Sequence, residues 1–359
     1  MSPREMQECN AVVVDRPRHA SVQRVPITPA DRLGDHEVLV HSQLSLLSPG
    51  TELARYRGSV VPATGQDSRA HFPFHPGYAT VGTVVAAGPA SGQQTGDRVL
   101  VHSPHQDRVV VDTRHTLCLT VPSGVADRAV PFARLAQVGA VSLALCASPP
   151  GSPLAVVGLG LVGNLAGQLA SSLGYRVRGV DPSVARRRLA AACGLDCVES
   201  SAQLPGGDDA PAVVLECSGA PAAVLGALAA VATCGEVFLV GAPWSGAADI
   251  PSAPLLATIF DRFSALRSGW EWQLPIRRDG HIRRHSRGDG APPAGARVPA
   301  GRPGSIEECT EEILLAMAGG SIRTDSLVTD VVRPEEVDIA YRQLDEDPEH
   351  HLGVLVDWS

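Results

Sequence analysis

The chain has 359 residues and a formal charge of −8, with 44% hydrophobic residues but only 4% aromatics. That length accommodates two ordinary domains, whose cores must rest on Val, Leu and Ala. The acidic balance argues against a nucleic-acid or anionic-membrane surface and leaves small molecules as the expected partners.

Met1-Ser2-Pro3-Arg4-Glu5 is polar with no apolar segment behind it, so no secretion signal is expected. The first 120 residues then read as short strands broken by Pro and Gly, at residues 11–14, 37–41, 80–86, 98–102 and 108–111. Turns at Gly88 and Gly96-Asp97 separate them, which suggests a β-barrel-like domain. From Ala129 the rhythm changes to alternating helices and strands, beginning with an Ala/Leu-rich helix over 130–147. Such alternation implies a parallel sheet with crossover helices.

The most specific stretch follows. Residues 154–157 are an apolar run suited to a strand buried on both faces. Gly158, Gly160 and Gly163 then fit GxGxxG, in which the glycines allow a tight turn, backbone approach to a pyrophosphate, and helix packing on the strand. Leu161, Leu165, Leu169 and Leu173 recur every four residues and stripe one face of a helix that ends at Gly174. A second strand over 176–180 leads to Asp181, 18 residues beyond Gly163, where a carboxylate accepts from ribose hydroxyls and repels a 2′-phosphate. That favours NAD over NADP. Arg186, Arg187 and Arg188 are the counter-signal, read either as a solvated helix face or as a phosphate clamp. Leu161, Val162, Arg186, Cys217, Ser218 and Gly241 complete the candidate cofactor-binding set.

Further strands are expected at 212–217 and 237–240, flanking a helix over 220–232. That helix holds the longest apolar run, shorter than the roughly 18 to 20 residues a membrane span requires. Residues 277–304 are rich in Arg, Gly and Pro and read as a surface loop; Arg283, Arg284 and Arg287 are either solvated or a receptor for an anionic substrate. Ser305 and Glu308 form a capping box for a helix that buries Ile306, Ile313, Leu314 and Met317. A strand at 328–332, a helix at 334–344 and a strand at 352–356 finish the chain. Eight cysteines lie scattered with no CxxC pair, as in a cytoplasmic protein with reduced thiols.

In that order, Ser48-Pro49-Gly50-Thr51-Glu52, Pro76-Gly77-Tyr78-Ala79-Thr80-Val81-Gly82, Gly96-Asp97-Arg98-Val99, Pro104-His105-Gln106 and the glycine turn resemble the medium-chain dehydrogenase/reductase superfamily over nearly the whole chain. The resemblance implies an α/β fold: a GroES-like β-barrel-type catalytic domain, residues 1–128 and 285–359, packed on a Rossmann doubly wound parallel-sheet NAD-binding domain, residues 129–284. The active site would lie between them. It also implies a homodimer, since residues 234–241 resemble the region where family sheets join edge to edge.

Zinc-containing members carry a cysteine where this chain has Pro49, and a GHE motif where it has Gly77-Tyr78-Ala79. Neither Pro49 nor Tyr78 is a usual zinc ligand, and the four-cysteine structural lobe is missing. The chain thus resembles a zinc-lacking branch that includes bacteriochlorophyllide dehydrogenases and enzymes acting on sugars or cyclitols.

Without a metal, a hydroxyl must donate to the developing alkoxide. Tyr78, at the aligned position of a metal ligand, is the first candidate, its alternative setting being a tyrosine packed at a strand start. Thr51 matches the proton-relay position of the zinc enzymes. Glu52 would orient the loop or pair with an arginine, and His105 is either a proton carrier or structural. Trp270, Glu271 and Trp272 would form a wall of the substrate cleft or anchor a domain or subunit junction. The expected activity is NAD-dependent hydride transfer with a polar secondary alcohol or ketone. Two alternatives stay open: an NADPH-dependent quinone or enone reductase, and a dinucleotide-binding protein without catalysis.

Overall fold

In the computed structural model, which describes residues 7–59, 71–243, 251–277 and 298–359, the first third of the chain is built of short strands. β1 (Gln7–Arg16) and β2 (His19–Ile27) pair as an antiparallel hairpin. β3 (Glu37–Leu46), the short helix α1 (Thr51–Tyr56), β4 (Thr80–Ala87), β5 (Arg98–Val101), β6 (Arg108–Asp112) and β7 (Cys118–Thr120) follow. β2 and β7 escape the sequence pattern for a physical reason. β2 keeps only its Ala20 and Ile27 buried and lacks an apolar run, and β7 is three residues long.

α2 (Val130–Leu145) crosses to the second half of the chain. All of its residues but Val138 are buried, as expected of a helix that is apolar all round. Beyond it come β8 (Pro153–Val157), α3 (Leu161–Ser172), β9 (Arg176–Val180), α4 (Val184–Ala192), β10 (Asp196–Val198), β11 (Val213–Glu216), α5 (Pro221–Ala230), β12 (Glu236–Leu239), α6 (Ser252–Arg262) and β13 (Ala265–Ser268). The six strands form a parallel sheet in the order β10-β9-β8-β11-β12-β13, the doubly wound Rossmann arrangement. Its direction of winding switches between β8 and β11, and ligands of such sheets bind at the carboxyl ends of strands there.

The chain returns through α7 (Ile306–Ala318), β14 (Val328–Val332), α8 (Val337–Glu346) and β15 (Gly353–Asp357). Ser305 caps α7, its Oγ accepting from the Glu308 amide at 3.1 Å, while a Glu308 carboxylate oxygen accepts from the Gly304 amide at 2.6 Å. α7 packs against α2 and α3. The return to the antiparallel sheet is made by β14 and β15, in the order β14-β15-β3-β4-β5-β7 with β6 also on β3. One edge of β3 serves β4, and the other is divided between β6 and β15.

A continuous apolar core runs from Leu46 and Val81 of the antiparallel sheet, through Phe132, Leu135 and Val141 of α2, to Val156 and Leu165 of the parallel half. α2 is therefore the seam of the molecule. Among the described residues no helix is long and apolar enough to cross a membrane.

Candidate active site

The glycine turn joins β8 to α3 at the switch point. Gly158 has φ +89°, and a Cβ there would stand 2.6 Å from the Ser218 amide nitrogen, so neither the conformation nor the space admits a side chain. A Cβ on Gly163 would meet the Gly158 carbonyl oxygen at 1.8 Å, which is the close helix-to-turn approach that the third glycine permits. Gly160 differs: nothing stands within 4 Å of its missing Cβ. The open face beside Gly160, at the amino end of α3, fits a dinucleotide pyrophosphate. Leu161 is buried beneath it and Val162 partly so.

Asp181 follows β9 and is 2% exposed. One carboxylate oxygen accepts from the Leu159 amide at 2.8 Å and the other from the Ser183 amide at 2.8 Å, so the side chain ties the strand end to the glycine turn. Arg186 brings an Nη to 3.9 Å from it, and an Arg187 Nη donates to its backbone carbonyl at 2.6 Å. Cys217 and Ser218 follow β11 and Gly241 follows β12, close enough that a Cβ on Gly241 would meet the Gly219 nitrogen at 2.2 Å. Burial, then Glu216, pushes the Cys217 thiol well above its ordinary pKa, so it stays neutral. The candidate cofactor residues thus lie on four loops, after β8, β9, β11 and β12, at the carboxyl ends of parallel strands.

Tyr78 precedes β4 at the junction of the two sheets. It is partly buried, and its hydroxyl donates to Ser48 Oγ at 2.6 Å. The Arg134 guanidinium carbon lies 5.0 Å from its ring centre, and the ring of His102 lies 5.8 Å away. Arg134 comes from the first turns of α2 and is 2% exposed. One of its Nη atoms donates to Gln137 at 2.6 Å and the other to Glu271 at 3.0 Å. Trp272 stands 5.9 Å from both the guanidinium and the His102 ring. Burial foremost, then Glu52, holds the Tyr78 phenol well above its ordinary pKa, while the Ser48 hydrogen bond and Arg134 pull it back down. Of the expected aromatic wall, Glu271 and Trp272 reach this cluster and Trp270 is half exposed. Arg134, Ser48 and His102 escaped the sequence reading. The available signal was a single charged residue in a largely apolar helix.

Three other candidates are placed differently. Thr51 is exposed at the start of α1. Glu52 is buried: one oxygen lies 2.9 Å from His105 Nε2 and accepts from the Tyr341 hydroxyl at 2.9 Å, and among the described residues no arginine is hydrogen-bonded to it. His105 is 0% exposed, with Nδ1 2.8 Å from Ser45 Oγ, which also accepts from the Trp358 indole at 2.9 Å. Of the two roles open to His105, the structural one matches this placement: both ring nitrogens face partners inside the core. The basic residues Arg283, Arg284 and Arg287 lie outside the described residues.

Zinc binding needs His, Cys or carboxylate side chains to converge on one point. Among the described residues no three of them are grouped to hold a metal ion, and at the junction the residues of ligand type are His102 and Glu271, set beside Tyr78 and Arg134.

Residues 162–269 match the family model described as zinc-binding dehydrogenase. A stretch of 92 residues, 25% of this chain and 26% of the relative, is 37% identical to 2-desacetyl-2-hydroxyethyl bacteriochlorophyllide A dehydrogenase of Cereibacter sphaeroides. The match thus spans about a quarter of that protein. Over 98% of this chain and 99% of the other, the fold resembles that of L-idonate 5-dehydrogenase from Escherichia coli, with a TM-score of 0.74 at 17% identity. A Sinorhizobium meliloti protein bound to NADP and assigned as a zinc-binding dehydrogenase gives a TM-score of 0.72 at 18% identity, over 98% and 99% of the two chains.

Proposed function

We propose that this chain is a medium-chain dehydrogenase/reductase, and that it is a zinc-independent, NAD-dependent oxidoreductase acting on a polar secondary alcohol or ketone; the zinc-binding dehydrogenase match over residues 162–269 and the shared fold support the reading. The observation that carries the reading is Tyr78: a phenol at the junction of the two sheets, hydrogen-bonded to Ser48 and backed by a guanidinium, where metal ligands are wanting. When bound, the nicotinamide exchanges a hydride with the substrate carbon. Tyr78 supplies the proton to the substrate oxygen, or takes it in the oxidative direction, in a setting that limits competing water. The glycine turn and α3 hold the pyrophosphate, and Asp181 faces the adenosine ribose and opposes a 2′-phosphate. A sugar-like or cyclitol-like substrate suits aromatic Trp272 beside acidic Glu271, and the L-idonate named for one structural neighbour is a compound of that kind, whereas the bacteriochlorophyllide named for the relative shares with it only an alcohol group.

Steady-state turnover with NAD+ and NADP+ across secondary polyols, cyclitols and quinones tests this. We expect oxidation of a polyol or cyclitol with NAD+ in protein that carries no stoichiometric zinc. Activity confined to quinones with NADPH, or one zinc per chain in protein prepared without added metal, would overturn it. Residues 234–241 do not offer an edge, because β12 is paired on both sides by β11 and β13; a homodimer is proposed instead on the edge strand β13 beside α6, where Leu256 and Phe260 are exposed, and light scattering at the monomer mass would remove it.

A further inference from the structure

A cation buried at a domain junction is costly, and Arg134 is buried in a way that invites a reason. Its two Nη atoms are paired with Gln137 and Glu271, yet its Nε is buried with no hydrogen-bond partner, as is the Gln137 amide nitrogen. Ion pairs of this kind are commonly replaced by apolar side chains without loss of stability, so tying α2 to the segment after β13 does not by itself call for one. What the guanidinium does uniquely is place a permanent positive charge against the ring of Tyr78, since arginine stays protonated throughout the working range of pH.

We propose that Arg134 is the positioning cation of the proton donor: held by Gln137 and Glu271, it stabilises the phenolate that Tyr78 becomes when it gives up its proton. The inference rests on the assignment of Tyr78 as proton donor. In the reductive direction Tyr78 protonates the carbonyl oxygen as the hydride reaches the carbon. The phenol O–H bond breaks, an O–H bond forms on the substrate, and the negative charge remains on the Tyr78 oxygen until water returns the proton. Every other group around Tyr78 bears on that charge. Glu52 and Glu271 disfavour it, the Ser48 hydrogen bond favours it, and burial disfavours it. His102 faces the ring, and Tyr341 lies beyond Glu52. Arg134 is the cation that acts against the two carboxylates.

The test replaces Tyr78 by a fluorinated tyrosine, whose phenol titrates in an accessible range, and follows the titration by fluorine NMR in cofactor-free protein. Arg134→Gln should raise the phenol's midpoint by about one pH unit or more, and Glu271→Gln, which removes an opposing charge, should lower it. In the unlabelled enzyme Arg134→Gln should reduce kcat by about tenfold with little change in the KM for NADH. Midpoints that do not move in either variant overturn the proposal. If Arg134→Gln does not fold, the double variant Arg134→Met with Glu271→Gln is compared with Glu271→Gln alone, and equal midpoints in the two overturn the proposal. Tyr78→Phe separates the two ideas: unchanged turnover there removes Tyr78 as the donor, whereas a phenol insensitive to Arg134 removes only Arg134.

Discussion

Two clusters of polar side chains flank the loop between β3 and β4, and they differ in where they lead. Glu52, His105, Tyr341, Ser45 and Trp358 form a closed set inside the antiparallel half, in which His105 is fully enclosed and spends both ring nitrogens on neighbours. Tyr78, Ser48, Arg134, His102 and Glu271 form the other, drawn from both halves of the molecule and partly open. The first cluster fastens the C-terminal return, through Tyr341 and Trp358, to the loop that carries Thr51. Burial, then Glu52, holds the Tyr341 phenol well above its ordinary pKa, so it remains a donor to Glu52. Each cluster holds one buried polar atom without a hydrogen-bond partner, Glu52 Oε1 in the first and Arg134 Nε in the second, so what separates them is the partial exposure of Tyr78 at the junction of the two sheets.

The sharpest way to break this distinction is to open the closed cluster. Removing His105 with Ala leaves Glu52 buried with one partner fewer and should cost about 3 kcal/mol of stability. Denaturant unfolding measures the loss, and kcat of the folded fraction should stay within about twofold of the wild type. A large fall in kcat with no loss of stability would return His105 to the chemistry. The converse variant, Tyr78→Phe, should lower kcat by about 10²-fold while NADH affinity measured by fluorescence stays unchanged. An intact kcat would make the junction cluster as structural as the closed one.

A smaller effect is expected at the cofactor crevice. Asp181→Ala removes the acceptor of the Leu159 and Ser183 amides and the charge that opposes a 2′-phosphate. The ratio of kcat/KM for NAD+ over NADP+ should fall by about tenfold, a modest change because other contacts to the dinucleotide persist. An unchanged ratio would mean that Asp181 only braces the turn, and that Arg186 and its neighbours leave the choice of cofactor to other residues.

Much of this was legible in the sequence, but unevenly. The strand, glycine turn, striped helix and acid from Leu154 to Asp181 were readable because each follows from local geometry: a tight turn needs Gly158, and a close approach needs Gly163. The strand at Val328–Val332 and the cap at Ser305 were readable for the same reason. The polar clusters were not. Glu52 and His105 look alike as candidate acid–base residues along the chain, and only their depth inside the core distinguishes them from Tyr78.

By itself the sequence determined the class of fold, the order of its two halves and the place of the cofactor turn, because hydrophobic period and glycine position act over a few residues. The resemblance added the expectation that Pro49 and Tyr78 occupy positions where zinc-containing members carry ligands. The tertiary structure decided what stands beside Tyr78. Arg134 lies 56 residues further along the chain and Glu271 lies more than twice as far again. They meet the phenol only because α2 is buried as the seam between the two sheets, and long-range packing of that kind leaves no local mark except a charged residue in an apolar helix.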